Sequence, residues 1–309
     1  MAISKEAQSV YDLAQFPLKP RSCNLLSDLR IQTRKKIEPS VESVLAEYSV
    51  SITEKKISGV NCTCINPEKI LITTPILYGF GGGFVSGSAY EDLTIAVPIS
   101  KALGASVIIP NYSLSPEFKW PRALNETYEV YKSVCVKPFM MMGESAGGNL
   151  VLALLQKAHK DELKFPLSVA LISPWVDLSN SGTSLHDNDG IDPMLSKQHV
   201  DFAALNYSSE ETFSNPLVSP INGEYNNSFP PIFISTGEKD LLLSQSLELK
   251  KILNQANIDV HLKVWEGMWH VFEWLPDLPE SKDSLDLISK FFERVWALHK
   301  NDRNFNQYE

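Results

Sequence analysis

A chain of 309 residues, 43% of them hydrophobic, is long enough for one large α/β domain with an insertion, or for two small domains, around a substantial core. Its formal net charge of −9 argues against a nucleic-acid or anionic-membrane partner, because an acidic surface repels phosphates and gains nothing from counterion release. A neutral small molecule is the expected substrate.

The chain opens without the charged, apolar and small-residue pattern of a signal peptide. No apolar run is long enough to cross a bilayer, so a cytoplasmic protein with no stable membrane insertion is expected. The pattern is helical up to about Ala46: a segment around 9–16 is stopped by Pro17 and Pro20, and another over 25–36 is stopped before Pro39. Residues 48–52 and 57–65 alternate like the strands of an antiparallel hairpin, and 70–78 reads as a fuller, buried strand. A glycine-dense loop follows over 79–87, then a helix over 90–103.

From there strands and helices alternate. Strands are expected at 106–111, 139–143, 167–173, 232–237 and 260–265, and helices at 121–134, 145–159, 241–256 and 281–299. This alternation implies an α/β fold with a mostly parallel central sheet, helices on both faces, and ligand sites at the carboxyl ends of strands. The rhythm breaks between Asp177 and Ser219, where a short helix is expected around 196–205. The expected division is cap helices in 1–45, a catalytic domain in 46–178 and 217–309, and a cap insertion in 179–216. The closing helix offers a surface for a homodimer, although its apolar stripe also suits a core.

Cys23, Cys62, Cys64 and Cys135 form neither a disulfide framework nor a zinc pattern, and no metal or organic cofactor is expected. The chemistry lies elsewhere. Gly143-Glu144-Ser145-Ala146-Gly147 matches G-x-S-x-G between an apolar strand and a run of helix formers, the setting of a nucleophile elbow. Ser145 is the candidate nucleophile. The glycines at 79, 81, 82, 83 and 87 free backbone N–H groups to point into a cavity, as an oxyanion hole requires; a merely flexible loop is the competing reading.

A serine hydroxyl needs a base, and the base needs a third group to fix its tautomer. His270 follows the strand at 260–265, whereas His159, His186, His199, His261 and His299 read as solvated side chains. The acid belongs between serine and histidine in chain order. Asp240 follows the strand at 232–237 and is the candidate, with a helix N-cap as its competing role and Glu238 as the neighbouring alternative.

These strings resemble the hormone-sensitive-lipase-like esterases of the α/β-hydrolases, in particular the acetyl esterase and monoterpene lactone hydrolase branch. The family's H-G-G-G-F stands here as Phe80-Gly81-Gly82-Gly83-Phe84. Its D-Y-R-L-A-P-E-H stands as Asn111 to Phe118, its G-D-S-A-G-G-N-L as Gly143 to Leu150, and its S-P-W-x-D-L as Ser173 to Leu178. Gly267 to Phe272 looks like its histidine box. The resemblance implies a triad of Ser145, Asp240 and His270 and oxyanion donors from the N–H groups of Gly81, Gly82 and Ala146.

It also implies a serine hydrolase that cleaves short- to medium-chain carboxylic esters through an acyl-enzyme. Phe80, Phe84, Trp175 and Phe202 are expected to line the substrate pocket, with a core role as the alternative for each. A lactonase or amidase on the same triad, or a non-catalytic small-molecule receptor on this scaffold, are the competing functions. Three positions depart from the family: Phe80 replaces the motif histidine, Ser113 the usual arginine and Glu144 the usual aspartate. The first two changes are expected to be linked, leaving a glycine loop held by apolar packing.

Overall fold

The computed structural model describes residues 3–13 and 26–305. The expected helix stop at Pro17 and Pro20, and Cys23, lie outside the described residues. Two helices come first, α1 (Lys5–Leu13) and α2 (Leu26–Glu47). The expected break before Pro39 is absent, since α2 runs through it. Losing one helical hydrogen bond at proline is tolerated here because Ile37, Val41 and Val44 form a buried stripe on either side of it.

β1 (Val50–Ile57) and β2 (Val60–Pro67) pair antiparallel with Ile57 opposite Val60. The hairpin turns at Ser58 and Gly59, both at positive φ (47° and 87°), and not between 52 and 57 as the sequence suggested. Six successive residues of β1 are exposed, so its polar centre reads like a turn although it is paired throughout.

The remaining elements follow the expected alternation: β3 (Ile72–Gly79), α3 (Leu93–Leu103), β4 (Ala105–Pro110), α4 (Arg122–Val134), β5 (Met140–Glu144), α5 (Ala146–Lys160) and β6 (Val169–Ile172). Then come α6 (Ser184–Asp187), α7 (Lys197–Tyr207), β7 (Ile232–Gly237), α8 (Leu243–Gln255), β8 (Val260–Trp265) and α9 (Pro279–Phe305). One eight-stranded sheet has the order β1-β2-β4-β3-β5-β6-β7-β8, antiparallel from β1 to β4 and parallel from β4 to β8. Each exchange of neighbours needs a crossover helix, which is why both faces of the parallel part are covered.

β5 lies between β3 and β6 with every residue buried, which explains its unbroken apolar run from Phe139 to Met142. On α9, Leu285, Ile288, Phe291 and Phe292 are buried at helical spacing, so much of its apolar stripe belongs to the core. No helix among the described residues is long and apolar enough to cross a membrane.

Candidate active site

The parallel strands β5, β7 and β8 run in the same direction and end on the same edge of the sheet, and the loops leaving them carry Ser145, Asp240 and His270. The turn from β5 into α5 is tight enough to place Ser145 at φ 53°, ψ −120°, a backbone strain that lifts its side chain out of the strand. The turn closes only because residue 147 is glycine. A Cβ there would fall on the carbonyl oxygens of Gly79 and Phe80, at the end of the neighbouring strand β3.

The Ser145 Oγ lies 3.0 Å from His270 Nε2, and His270 Nδ1 lies 2.9 Å from Asp240 Oδ1. The structure therefore brings together the three side chains that the sequence singled out, from segments 125 and 30 residues apart. Asp240 is fully buried and also accepts from the Thr236 hydroxyl at 2.9 Å and the Leu242 N–H at 2.8 Å. After His270 the chain is held in the left-handed region at Val271 (φ 46°), an unfavourable conformation for a β-branched residue, and its N–H is tied to Ser173 Oγ at 3.1 Å.

The electrostatics oppose burial. Burial works to lower the His270 pKa, but the charge and hydrogen bond of Asp240, followed by Asp192 and Glu273, outweigh it and raise it. Burial works to raise Asp240, but His270, a Ser173 hydrogen bond and the Leu242 N–H hold it below the ordinary aspartate value. An imidazole whose protonated form is favoured beside a carboxylate that stays charged is the polarity a proton-accepting base requires.

The glycine loop is arranged differently from expectation at one residue. Gly82 and Gly83 line the cavity over Ser145, whereas Gly81 does not, and the Gly81 N–H stabilises the Glu144 carboxylate instead. Glu144 shares a hydrogen bond with Asp92, and Asp92 accepts from the Tyr78 hydroxyl at 3.0 Å and from Trp274 Nε1 at 2.7 Å. Burial raises both acids, Asp92 to about 7, and so favours a proton held by the pair. The glutamate that replaces the family's aspartate is thus part of a buried acid pair beneath the glycine loop.

The cavity has a volume of about 730 Å³ and opens on Ser145 and His270. Val10 of α1, Leu29 and Ile37 of α2, Met194 and Leu195 before α7, and Val200 and Ala203 of α7 line it, so both the N-terminal helices and the 179–216 segment contribute wall. Of the four aromatic residues expected there, only Trp175 lines it. Phe80 is buried against Tyr112 and Phe84 against Tyr207, with ring centroids 4.0 and 3.8 Å apart, and Phe202 packs on the core from α7. Ser113, expected to be linked to Phe80, instead bonds Glu126 through its N–H at 2.7 Å and its hydroxyl at 2.9 Å.

Two residues of the site were missed. His199, read as solvated, lines the cavity. Its Nδ1 is enclosed without a hydrogen-bond partner among the described residues, and burial followed by the nearby His270 lowers its pKa to about 4. Asp192 is fully buried, with a carboxylate oxygen within 4.8 Å of ligand atoms of both Asp240 and His270. Neither residue sits in a motif, and only the folded chain shows their surroundings.

Residues 76–274 match the family described as alpha/beta hydrolase fold. An esterase of Acinetobacter venetianus is 29% identical over 250 residues, covering 79% of this chain and 82% of that one. An acetyl-hydrolase of Streptomyces hygroscopicus is 27% identical over 222 residues, covering 70% and 74%. The crystal structure of an esterase from the bacterial hormone-sensitive lipase family is similar with a TM-score of 0.85 at 26% identity, covering 96% of this chain and 100% of that one. With the parallel sheet, the serine elbow after β5 and these relatives in agreement, the chain belongs to the α/β-hydrolase fold family.

Proposed function

We infer that the protein is a carboxylesterase that works through an acyl-enzyme on Ser145. The observation that carries this reading is the unbroken line of contacts Ser145 Oγ, His270 Nε2, His270 Nδ1, Asp240 Oδ1, at 3.0 and 2.9 Å. His270 takes the Ser145 proton as the oxygen attacks the ester carbonyl, and Asp240 keeps the imidazolium oriented. The tetrahedral oxyanion is received by the N–H groups of Gly82, Gly83 and Ala146: the first two line the cavity, and the third follows the nucleophile at the start of α5. His270 then protonates the leaving alcohol, and water, deprotonated by the same imidazole, releases the acid. The groups named perform every step.

The similar esterases and acetyl-hydrolases support esters as the bond type. A small-molecule ester of short to medium chain, and not a nucleic acid, suits the cavity and the net charge of −9. The buried free thiols of Cys62, Cys64 and Cys135 fit a reducing compartment, which supports the cytoplasm. Leu287 and Leu298 are exposed on α9 and offer apolar contacts to a homodimer. Hydrolysis of p-nitrophenyl acetate and butyrate, measured beside Ser145→Ala, tests the reading: turnover by the unaltered chain and none by the variant is expected. No Ser145-dependent turnover on either ester would favour a binding role.

A further inference from the structure

Asp192 stands outside the serine, histidine and aspartate line, yet it is completely buried beside it. Its Oδ1 accepts the N–H groups of Met194 at 2.8 Å and Leu195 at 3.2 Å, which closes a local turn. Its Oδ2 reaches further, to the N–H of Leu241 at 2.8 Å, 49 residues along the chain. The next N–H, that of Leu242, is held by Asp240 at 2.8 Å. Two carboxylates thus take consecutive amides of one turn, within 4.8 Å of the same imidazole.

Asparagine could not reproduce this arrangement, because its NH2 would oppose one of the N–H donors. A second buried carboxylate beside Asp240 is unfavourable unless a positive charge close by gains from it. The group placed to gain is the His270 imidazolium, which forms when Ser145 gives up its proton.

We propose that Asp192 is a positioning residue of the active site, tying the Asp240 turn to the cavity wall at Met194 and Leu195 and favouring protonated His270 with its negative charge. No bond forms or breaks at Asp192. The proposal rests on the reading of Ser145, His270 and Asp240 given above.

The titratable and charged groups around Asp192 come from several elements. Asp240 belongs to the turn after β7, and His270 and Glu273 to the segment after β8. Tyr11 of α1 donates to the Ile191 carbonyl at 3.0 Å and carries the Lys239 ammonium over its ring, while His199 of α7 faces His270. Burial and then Asp240 push the Asp192 carboxyl up to about 7, against the pull of His270 and the N–H groups of Leu241 and Met194. Its charge is therefore present above neutral pH, where His270 must act as a base.

The test is the pH profile of kcat/KM for p-nitrophenyl butyrate with Asp192→Asn, and with Asp192→Ser should the first variant fold poorly. Loss of the charge is expected to lower the plateau about tenfold and to move the acidic limb down by about one pH unit. An unchanged rate overturns the proposal, as does a slower enzyme whose limb stays in place, the mark of a merely structural role. NMR titration of the His270 ring in the Ser145→Ala chain reads the same coupling with Asp192 intact. Two steps are expected, and a single step overturns the proposal even if both substitutions unfold the chain. Esterase activity surviving Ser145→Ala would instead overturn the underlying reading, while the titration would still report on Asp192.

Discussion

The ring of Phe80 lies flat on that of Tyr112, with centroids 4.0 Å apart and planes within 3° of parallel, and the Tyr112 hydroxyl donates to the Phe80 carbonyl at 2.6 Å. A ring stack and one buried hydrogen bond therefore anchor the residue that opens the glycine loop. Phe80→Ala should cost about 3–5 kcal/mol of stability by opening a cavity in a closed core. Tyr112→Phe should cost about 1 kcal/mol by removing the donor to a buried carbonyl. Urea unfolding measures both. Phe80→His should bring no large gain in kcat/KM, and a rise of about a hundredfold would show the loop to be impaired rather than rebuilt.

The elbow depends on the approach of α5 to the end of β3. Gly147→Ala places a methyl group on the Gly79 carbonyl, a backbone atom that cannot swing aside. We expect a loss of about 3 kcal/mol or more, and loss of esterase activity in whatever folds, because Ser145 is carried by the same turn. Thermal unfolding and a p-nitrophenyl ester assay check the two effects separately.

Stability should fall as pH rises. Burial raises Asp92, Asp192 and Glu273 to about 7 in the folded chain, against ordinary values of about 4. Between those values the folded state binds more protons, so stability that is complete below the unfolded value is lost as pH rises through the folded one. The raised His270 acts in the same direction, from its unfolded value of about 6.5 upward. The lowered Asp240 acts oppositely, its contribution being lost only as pH falls below the ordinary aspartate range. His199, lowered to about 4, also acts oppositely between its folded value and its unfolded value of about 6.5, one group against the three raised acids. Tm should accordingly be higher near pH 5 than near pH 8. Asp92→Asn should reduce the difference.

The raised His270 also fixes the activity profile. Its neutral form is the base, so kcat/KM should fall on acidification through a limb above about pH 6.5. Asp240→Asn removes the charge and leaves the wrong imidazole tautomer, which should lower kcat by about 10⁴-fold. Steady-state kinetics across the pH range measure both.

Much of this was legible in the chain because strong local signals agreed with the tertiary structure. β7 and β8 occupy the residues expected of them, and the loops after them carry the acid and the histidine. The failures share a cause, in that distant contacts overrode local text. Pro39 looked like a stop, but the buried stripe around it carries α2 onward. Phe80 and Phe84 sit in a glycine loop beside the site, yet Tyr112 and Tyr207 draw their rings into the core. Gly81 looked equivalent to Gly82 until Glu144 was seen to engage its N–H. Asp192 and His199 gain their surroundings only when the 179–216 segment lies against the strand ends.

The most direct test is to treat the protein with an aryl phosphonate ester and determine the crystal structure of the product. The phosphorus should be bonded to Ser145 Oγ, with a phosphonyl oxygen about 2.7–3.1 Å from the N–H groups of Gly82, Gly83 and Ala146, and Ser145→Ala should remain unlabelled. Labelling of another residue, or an adduct on Ser145 whose oxygen points away from those three amides, would contradict the account.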